Sequence, residues 1–330
     1  MTAQDPLSPY RSPTREGVLR AAQKIAEILP PTPLMPLEVD GVTLWCKAEM
    51  LQPIGAFKIR GAWHRLSDMS AGERERGIVG VSSGNHAQGV AWAAKKLGMA
   101  ATIVMPRNAP KAKIAATKAL GAQVVLYERP GQDRDAIAAT IVAKTGAVLV
   151  HAFADPWIIE GQGTLGIEAM AQMEAMGVKG PAHIVACCGG GGLSAGLSLA
   201  CPDAKLSLAE PEGWDDVIRS LAAGTILPVE DQAHPTPCDA LQTPISFPIN
   251  FNVLKNRVYS AAAVTPDEIG TAMRLVYEKL RLVVEPGGAA ALAAVISGKI
   301  ITDAPALITL SGGNVDPEYF SKILLNKTSD

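Results

Sequence analysis

The apolar residues of this chain are spaced first as a helix and then as alternating strands and helices. Val18, Ala22 and Ile25 recur at helical spacing, and the prolines of the following PPTPL segment end this predicted helix. From about residue 77 onwards, short continuous apolar runs alternate with amphipathic stretches. Such alternation is typical of a parallel sheet that is covered by helices on both faces.

The predicted strands are more numerous than one modest sheet needs. They are GIVGVSS, ATIVMP, AQVVLYE, AVLVHA, AHIVACC, KLSLAEP and ALITLSG. The pattern therefore predicts an α/β protein with two open, mainly parallel sheets and helices on both faces. We interpret residues 71–150 as a small, mobile domain that is inserted into a large domain of residues 1–70 and 151–330, with the site in the cleft between them. The proline-rich residues 224–257 are expected to form an irregular connection along that cleft.

Composition and charge limit the kinds of molecule that the protein is expected to bind. Of the 330 residues, 48% are hydrophobic and only 5% are aromatic, so the predicted core is aliphatic. A net charge of −2 without a basic stripe argues against nucleic-acid binding. The five cysteines lack CxxC spacing, which argues against disulfides or a zinc site and favours a reducing cytoplasm. No apolar run has the length of a signal peptide or a membrane span.

Lys58 is the first candidate for chemistry. It lies between Phe57 and Ile59 in the segment GAFKIRGA. A lysine is normally a solvated charge, but apolar neighbours after a glycine-containing turn predict an amine that faces a closed site. Burial disfavours the ammonium and lowers the amine pKa, which yields the free nucleophile that Schiff-base chemistry with an aldehyde requires.

The glycine-rich segment GGGGL, residues 189–193, follows one predicted strand and precedes a helix. Its backbone can approach a ligand closely, and the N–H groups at a helix N-terminus favour an anion. We therefore interpret it as a phosphate cradle, with a flexible turn as the alternative. It is neither a Walker loop nor a dinucleotide-binding GxGxxG motif.

Two polar motifs also follow predicted strands. SSGNHAQG places residues 82–86 at the carboxyl end of a strand, where open α/β sheets bind ligands. Helix capping by serine or asparagine is the alternative interpretation. SGGN, at 311–314, offers the neutral hydroxyl of Ser311 to a ring nitrogen.

The order FKIRGA, SSGNHAQG, EGQGT, GGGGL, EPGGA and SGGN resembles the threonine/serine dehydratase and serine racemase group of fold-type II pyridoxal-phosphate enzymes. The resemblance covers nearly the whole chain and implies a fold like that of tryptophan synthase β, a pyridoxal 5'-phosphate cofactor and, from family habit, a homodimer. The implied catalytic residues are Lys58 and Ser83. The implied cofactor residues are Lys58, Phe57, Asn85, Gly189, Gly190, Gly191, Gly192, Leu193, Glu285 and Ser311. The implied substrate residues are Ser82, Ser83, Gly84, Asn85 and His86.

The resemblance also assigns roles to these residues. It implies that Lys58 forms the imine with the cofactor, that Asn85 bonds the cofactor 3-hydroxyl and that Ser311 faces the pyridine nitrogen. A neutral partner leaves that nitrogen largely unprotonated, which weakens the electron sink and favours elimination. Lys58 is then the expected base on one face of the substrate.

These roles imply an ammonia-lyase that dehydrates serine or threonine to the 2-oxo acid and ammonia. A serine (amino-acid) racemase or a 3-hydroxyaspartate dehydratase is the alternative enzyme, and an inactive ligand-binding homologue is the alternative that lacks catalysis. Ser83 keeps racemisation open, because racemases of this group use a serine as acid and base on the face opposite the lysine. Its other interpretation is a cap for the following helix.

The segment AEPEGWDD suggests a divalent cation. The resemblance implies that Glu210, Asp216 and the backbone carbonyl of Trp214 hold Mg²⁺ or Ca²⁺, which prefer such oxygen ligands. Solvated helix caps are the alternative. For the substrate, Arg129 and Arg134 lie where some members meet a second carboxylate, although arginines in such a segment are more often exposed to solvent. Residues 238–247 differ from the usual pocket segment, so the preferred side chain stays open.

Overall fold

The computed structural model describes residues 8–128, 131–230 and 235–325. The helices are α1 (Arg15–Ala26), α2 (Lys58–Ser67), α3 (Ala71–Arg76), α4 (Asn85–Lys96), α5 (Lys111–Ala119), α6 (Arg134–Thr145), α7 (Pro156–Ala175), α8 (Gly192–Ala200), α9 (Asp216–Ala223), α10 (Pro248–Leu254), α11 (Pro266–Leu280), α12 (Pro286–Ile296) and α13 (Pro317–Leu324). The strands are β1 (Leu34–Val39), β2 (Val42–Ala48), β3 (Ile78–Val81), β4 (Ala101–Pro106), β5 (Gln123–Tyr127), β6 (Val148–Val150), β7 (His183–Cys187), β8 (Lys205–Pro211), β9 (Val258–Val264) and β10 (Ala306–Leu310).

Two sheets, both mainly parallel, confirm the predicted fold class. The six-stranded sheet has the order β1-β2-β10-β7-β8-β9, in which only the β1–β2 pair is antiparallel. The four-stranded sheet has the order β5-β4-β3-β6 and is parallel throughout. All its strands lie between residues 78 and 150, inside the segment that the sequence assigns to a small domain. The exact limits of that domain and its mobility stay a prediction.

The four-stranded sheet is covered on both faces. Ile78 packs in one apolar cluster with Val90 of α4, whereas the next residue, Val79, packs in another with Ala138 of α6. Successive side chains of a strand point to opposite faces, so each strand must be apolar throughout. This explains why the apolar runs predict these strands correctly.

The pattern did not predict β1, β2 and β9. Strand β1 contains Pro36 and the exposed Glu38, which are tolerated because β1 lies at the edge of its sheet. Strand β9 lies at the other edge and consists largely of half-buried small residues. Edge strands are covered incompletely, so neither strand carries the continuous apolar run by which the central strands are found.

Glycine contacts fix the helix that begins with Lys58. A methyl group added to Gly161 of α7 would lie 2.5 Å from the Cα of Gly61 in α2, and one added to Gly163 would lie 2.5 Å from the carbonyl oxygen of Gly196 in α8. Helix α7 therefore meets both neighbours backbone to backbone. This explains the EGQGT motif at 160–164, since larger residues would force α2 away and displace Lys58.

A buried ion cluster also links α2 to α7 and to the segment after β2. The guanidinium of Arg60 lies 2.7 Å from the Glu49 carboxylate and 3.0 Å from that of Glu168. Arg60 is almost completely buried, and removing one member of such a cluster would leave an uncompensated charge. Lys58, two residues earlier, is thus attached to a rigid element.

The connection over residues 224–257, between α9 and β9, is irregular, as expected. Its described part contains a short 3₁₀ helix at Asp239–Leu241 and the two-turn α10. All five cysteines are buried and free, which agrees with the prediction of no disulfide framework. Within the described residues, no helix combines the length and the apolar composition needed to cross a membrane.

Candidate active site

A cavity opens at the carboxyl ends of β3, β6, β7 and β10, between the two sheets. The structure brings together around it every residue that the sequence predicts for catalysis, cofactor or substrate. They are Phe57, Lys58, Ser82, Ser83, Gly84, Asn85, His86, Gly189, Gly190, Gly191, Gly192, Leu193, Glu285 and Ser311. Residues more than 250 positions apart in sequence therefore meet at one place.

Lys58 is the first residue of α2, and its amine faces this cavity. The Nζ atom donates a hydrogen bond of 2.8 Å to the carbonyl oxygen of Ala152. Burial lowers the pKa of Lys58 to about 8, because the surrounding protein replaces the water that would stabilise an ammonium. Part of the amine is therefore neutral near neutral pH, and only the neutral amine can attack an aldehyde to form an imine.

The four glycines form a cradle at the N-terminus of α8. Gly191 has φ +85°, which a side chain would strain, and Gly192 is the first residue of the helix. The ring of Phe153 lies so close to Gly190 that an added methyl would approach it to 2.4 Å. The turn is packed closely against other elements, as a fixed cradle requires. Its backbone N–H groups can bind an anion such as a phosphate.

The SSGN loop does not cap the following helix. Helix α4 begins at Asn85 with Gly84 as its N-cap, and no side chain completes the cap. Ser82 Oγ accepts a hydrogen bond from the N–H of Gly84, whereas Ser83 lines the cavity. The capping interpretation of Ser83 is therefore wrong, and its hydroxyl is available to a bound molecule.

The side-chain amide of Asn85 is held in one orientation. Its Nδ2 donates to Glu285 Oε1 at 2.5 Å, and its Oδ1 accepts from Asn314 Nδ2 at 2.8 Å. Asn314 in turn donates to the carbonyl oxygen of Ile54. The second N–H of Asn85 Nδ2 has no acceptor in this pair of bonds, and it can donate a hydrogen bond to a polar atom at the edge of a bound ring.

Ser311 follows β10 and offers a neutral hydroxyl to the cavity. The thiol of Cys187 donates a weak hydrogen bond to Ser311 Oγ at 3.3 Å. Because the oxygen accepts this bond, its own proton is free to be donated to a ring nitrogen. Burial raises the pKa of Cys187, so the thiol stays protonated.

Two histidines at the cavity are neutral. His86 Nε2 lies 3.0 Å from the carbonyl oxygen of Val150 and therefore carries the proton, and burial lowers the pKa of His86 to about 3. The Nδ1 atom of His151 accepts from two backbone N–H groups, and burial lowers the pKa of His151 to about 4. Neither ring contributes a positive charge at neutral pH.

Sequence reasoning missed several residues of the same cavity. They are Lys113, His151, Phe153, Cys187, Asp239 and Thr243. None belongs to a motif whose chemistry can be read locally, although Asp239 and Thr243 lie in the segment 238–247 that departs from the family pattern. Lys113 is a lysine in a lysine-rich helix, and its neighbours do not distinguish it.

The carboxylates of the proposed cation site lie close together and are buried. Both Glu210 and Asp216 have no exposed surface, which rules out the solvated-cap interpretation. Glu210 lies in β8, and Asp216 is the first residue of α9. Glu210 Oε2 accepts from the N–H of Ile218 and Asp216 Oδ2 from that of Ser246. The other oxygen of each carboxylate has no hydrogen-bond partner.

Burial raises the pKa of both acids. Burial has the largest effect for both, and the charge of Asp216 adds to it at Glu210. The pKa of Asp216 rises to about 7. The two carboxylate oxygens without partners are buried, and oxygen ligands of this kind suit a hard cation such as Mg²⁺ or Ca²⁺. Among the described residues, no group of three or more acidic, histidine or cysteine side chains could bind a metal.

Arg134 is at the rim of the cavity, where its side chain is about one-third exposed. Arg134 therefore lines the cavity and is also partly exposed to solvent. Arg129 lies outside the described residues.

This arrangement can be compared with known proteins. Residues 25–312 match the family described as "Pyridoxal-phosphate dependent enzyme". The chain belongs to this family. The fit is visible in the site itself, where an amine with a lowered pKa, an anion cradle and a fixed amide surround one cavity. These groups suit the aldehyde, the phosphate and the ring of pyridoxal phosphate.

Three relatives show which pyridoxal-phosphate enzymes the chain is similar to. An L-threonine ammonia-lyase of Thermotoga maritima is 40% identical over 87% of this chain and 71% of its own length. An L-threo-3-hydroxyaspartate ammonia-lyase of a Pseudomonas species is 36% identical over 93% of this chain and 97% of its own. The structure of maize serine racemase superposes with a TM-score of 0.87, at 32% identity, over 96% of this chain and 98% of that one.

Proposed function

We propose that this protein is a pyridoxal-phosphate-dependent ammonia-lyase that dehydrates serine or threonine to the 2-oxo acid and ammonia. The observation that carries the proposal is the amine of Lys58, whose pKa is lowered to about 8, in the same cavity as the glycine cradle. The names of the relatives, two ammonia-lyases and a serine racemase, support the same reaction classes.

The cofactor would lie between Lys58 and the cradle. When bound, pyridoxal phosphate supplies an aldehyde that activates the α-carbon of an amino acid. Gly189 to Gly192 would hold its phosphate, Asn85 its 3-hydroxyl and Ser311 its ring nitrogen. The hydroxyl of Ser311 would donate a hydrogen bond to that nitrogen without giving up its proton, which would leave a bound ring neutral and favour loss of the β-hydroxyl.

Lys58 is the proposed base. A neutral amine near pH 8 can remove a proton from the substrate, and its position at the start of a rigid helix keeps it on one face. Ser82 and Ser83, with the N–H groups of residues 84–86, would bind the substrate carboxylate.

A racemase is the second candidate, and one observation favours it. The Ser83 hydroxyl lines the cavity and takes no part in capping α4. It would act as acid and base on the face opposite Lys58, which racemisation needs. Dehydration of 3-hydroxyaspartate is favoured separately by Arg134 at the rim, since its guanidinium could meet a second carboxylate.

We also propose that Glu210, Asp216 and the carbonyl of Trp214 hold Mg²⁺ or Ca²⁺. The unpartnered oxygens of the two buried carboxylates support this, because a buried anion without a partner is costly. A homodimer in the cytoplasm is the proposed assembly and location. Sedimentation equilibrium would test the former, and a fluorescent fusion imaged in the native host would test the latter.

Reconstitution with pyridoxal phosphate tests the cofactor. We expect an absorbance band near the visible edge that borohydride bleaches, and mass spectrometry should place the reduced adduct on Lys58. Lys58→Ala should lose the adduct and turnover, whereas Lys111→Met, on an exposed helix surface, should keep both. A colourless wild type, or full turnover by Lys58→Ala, would refute the proposal.

A substrate panel tests the reaction. L- and D-serine, L-threonine and 3-hydroxyaspartate should be assayed for oxo-acid release and for inversion, with Ser83→Ala beside the wild type. We expect Ser83→Ala to abolish inversion and to retain dehydration. Racemisation that is unchanged in Ser83→Ala would remove its hydroxyl from the mechanism.

A further inference from the structure

Lys113 reaches into the cavity from the four-stranded-sheet side. It lies on α5, its side chain is almost completely buried, and it belongs to none of the motifs identified above. Its Nζ lies 2.6 Å from Asp239 Oδ2 and 3.5 Å from Glu285 Oε2. Both carboxylates belong to the other side of the cavity, in the connection after β8 and at the N-cap of α12.

This ion pair is unusual in its position. Within the part of the chain that the structure describes, Lys113 is the only charged side chain between residues 71 and 150 that forms an ion pair outside that segment. The remaining ion pairs of the segment are local, such as that of Arg107 with Glu128. Lys113 therefore provides the charge that connects the two sides of the site.

Lys113 also contacts the SSGN loop. A methyl group placed on Gly84 would approach the Cδ of Lys113 to 2.8 Å, so the lysine stem lies directly against the backbone next to Ser83. A single side chain thus touches the loop proposed to bind the substrate, the 3₁₀ helix at Asp239–Leu241 and the carboxylate of Glu285.

Glu285 is the partner through which Lys113 can act on the cofactor site. Its Oε1 accepts from Asn85 Nδ2, whereas its Oε2 has no hydrogen bond and faces Lys113. Burial raises the pKa of Glu285 to about 7, Lys113 opposes this rise and Asp239 adds to it. The nearby thiols of Cys187 and Cys238 are protonated, because burial raises the pKa of each.

The charge state of Glu285 decides what Asn85 can do. An ionised carboxylate only accepts hydrogen bonds, so it holds the Nδ2 of Asn85 toward itself. A protonated carboxyl can also donate a hydrogen bond, so it no longer requires the Nδ2 group of Asn85 to face it. A cation beside Oε2 favours the ionised form.

We propose that Lys113 is a positioning residue, which favours the ionised form of Glu285 and thereby fixes Asn85, while it holds the Asp239 segment and the SSGN loop together across the cavity. This inference rests on the proposed function, because it assigns Asn85 to the 3-hydroxyl of the cofactor. It adds a determinant of that site outside the motifs that identify the family.

The test compares Lys113→Met with Lys113→Arg and with Lys111→Met, an exposed residue of the same helix. The bound cofactor's absorbance and kcat/KM are titrated with pH. Without the cation, the pKa of Glu285 rises, so Lys113→Met should move the acid limb of both curves to higher pH and lower kcat/KM at pH 7 by about tenfold or more. Lys113→Arg should restore most of the change, and Lys111→Met should follow the wild type.

Asp239→Asn provides the opposite perturbation and serves if Lys113→Met does not fold. Removing a carboxylate that raises the pKa of Glu285 should move the acid limb to lower pH. If Lys113→Met lowers the thermal stability but leaves the acid limb of the two pH curves unchanged, the ion pair is only structural and the inference is overturned. Absence of a borohydride-sensitive band in the wild type would instead refute the proposed function together with the inference.

Discussion

Two groups of buried carboxylates lie near the cavity, and they differ in what balances their charge. Glu285 has a cation from the chain itself, Lys113, and a hydrogen bond from Asn85. Glu210 and Asp216 accept backbone N–H groups but form no ion pair among the described residues, and nearby Arg219 is paired with Asp215 and Glu230 instead. The chain thus supplies a cation beside Glu285 but none beside Glu210 and Asp216, which is the difference behind the proposal that the second group binds a cation from solution.

The strongest test of this difference is the response to metal. At pH 8, free Mg²⁺ at a thousandfold excess over its Kd should raise the free energy of unfolding by about 4 kcal/mol, since it binds only the folded state. Thermal unfolding of chelated protein with and without added Mg²⁺ measures this. Asp216→Asn should lose most of the gain, whereas Glu285→Gln should keep it. Equal responses in all three proteins would place the ion elsewhere.

The second test concerns pH at Glu285. Its pKa rises from an ordinary 4.5 to about 7, so the folded protein binds this proton more tightly than the unfolded chain. The resulting stability is complete below about pH 4.5 and is lost as pH rises through 7. That pKa difference corresponds to about 3 kcal/mol.

Glu285→Gln should remove this contribution while leaving Lys113 paired with Asp239. Urea unfolding at pH 5 and pH 8, with the wild type as the reference and chelator present, gives the difference in pH dependence. An identical dependence in the two proteins would mean that Glu285 titrates normally.

The smallest expected effect is at Asn314, which holds Asn85 from the side opposite Glu285. Asn314→Ala removes hydrogen bonds to Asn85 Oδ1 and to the carbonyl of Ile54, and should cost about 1 kcal/mol of stability. Cofactor affinity should fall as well, because the amide of Asn85 is then held at one end only. Fluorescence titration with pyridoxal phosphate checks this, and unchanged affinity would show that Glu285 alone orients the amide.

The parts of the molecule that could be predicted from sequence are those whose cause is local. Central strands such as β3 and β7 are apolar on both faces, so they stand out as continuous runs, whereas the edge strands β1 and β9 do not. The glycine cradle and Lys58 were found because their residue types are needed within a few positions of each other.

Lys113 could not be found in this way. Its partners Asp239 and Glu285 are more than 120 positions away, and only the packing of the two sheets brings them within reach. The burial of Glu210 and Asp216 was likewise hidden, since an acidic pair near a helix start looks the same whether it is solvated or enclosed. Long-range pairing and burial are properties of the folded chain rather than of a motif.

The glycine contacts of α7 have a consequence for how this scaffold can diversify. Gly61, Gly161 and Gly163 lie at close contacts between helices, so a side chain added at any of them would force α7 away from α2 or α8. Residues 239–243 and 151–153 line the cavity outside these helix contacts, so they can change selectivity without moving the helix that carries Lys58. A mutant library aimed at new substrates should therefore vary residues 151–153 and 239–243 and keep Gly61, Gly161 and Gly163 unchanged.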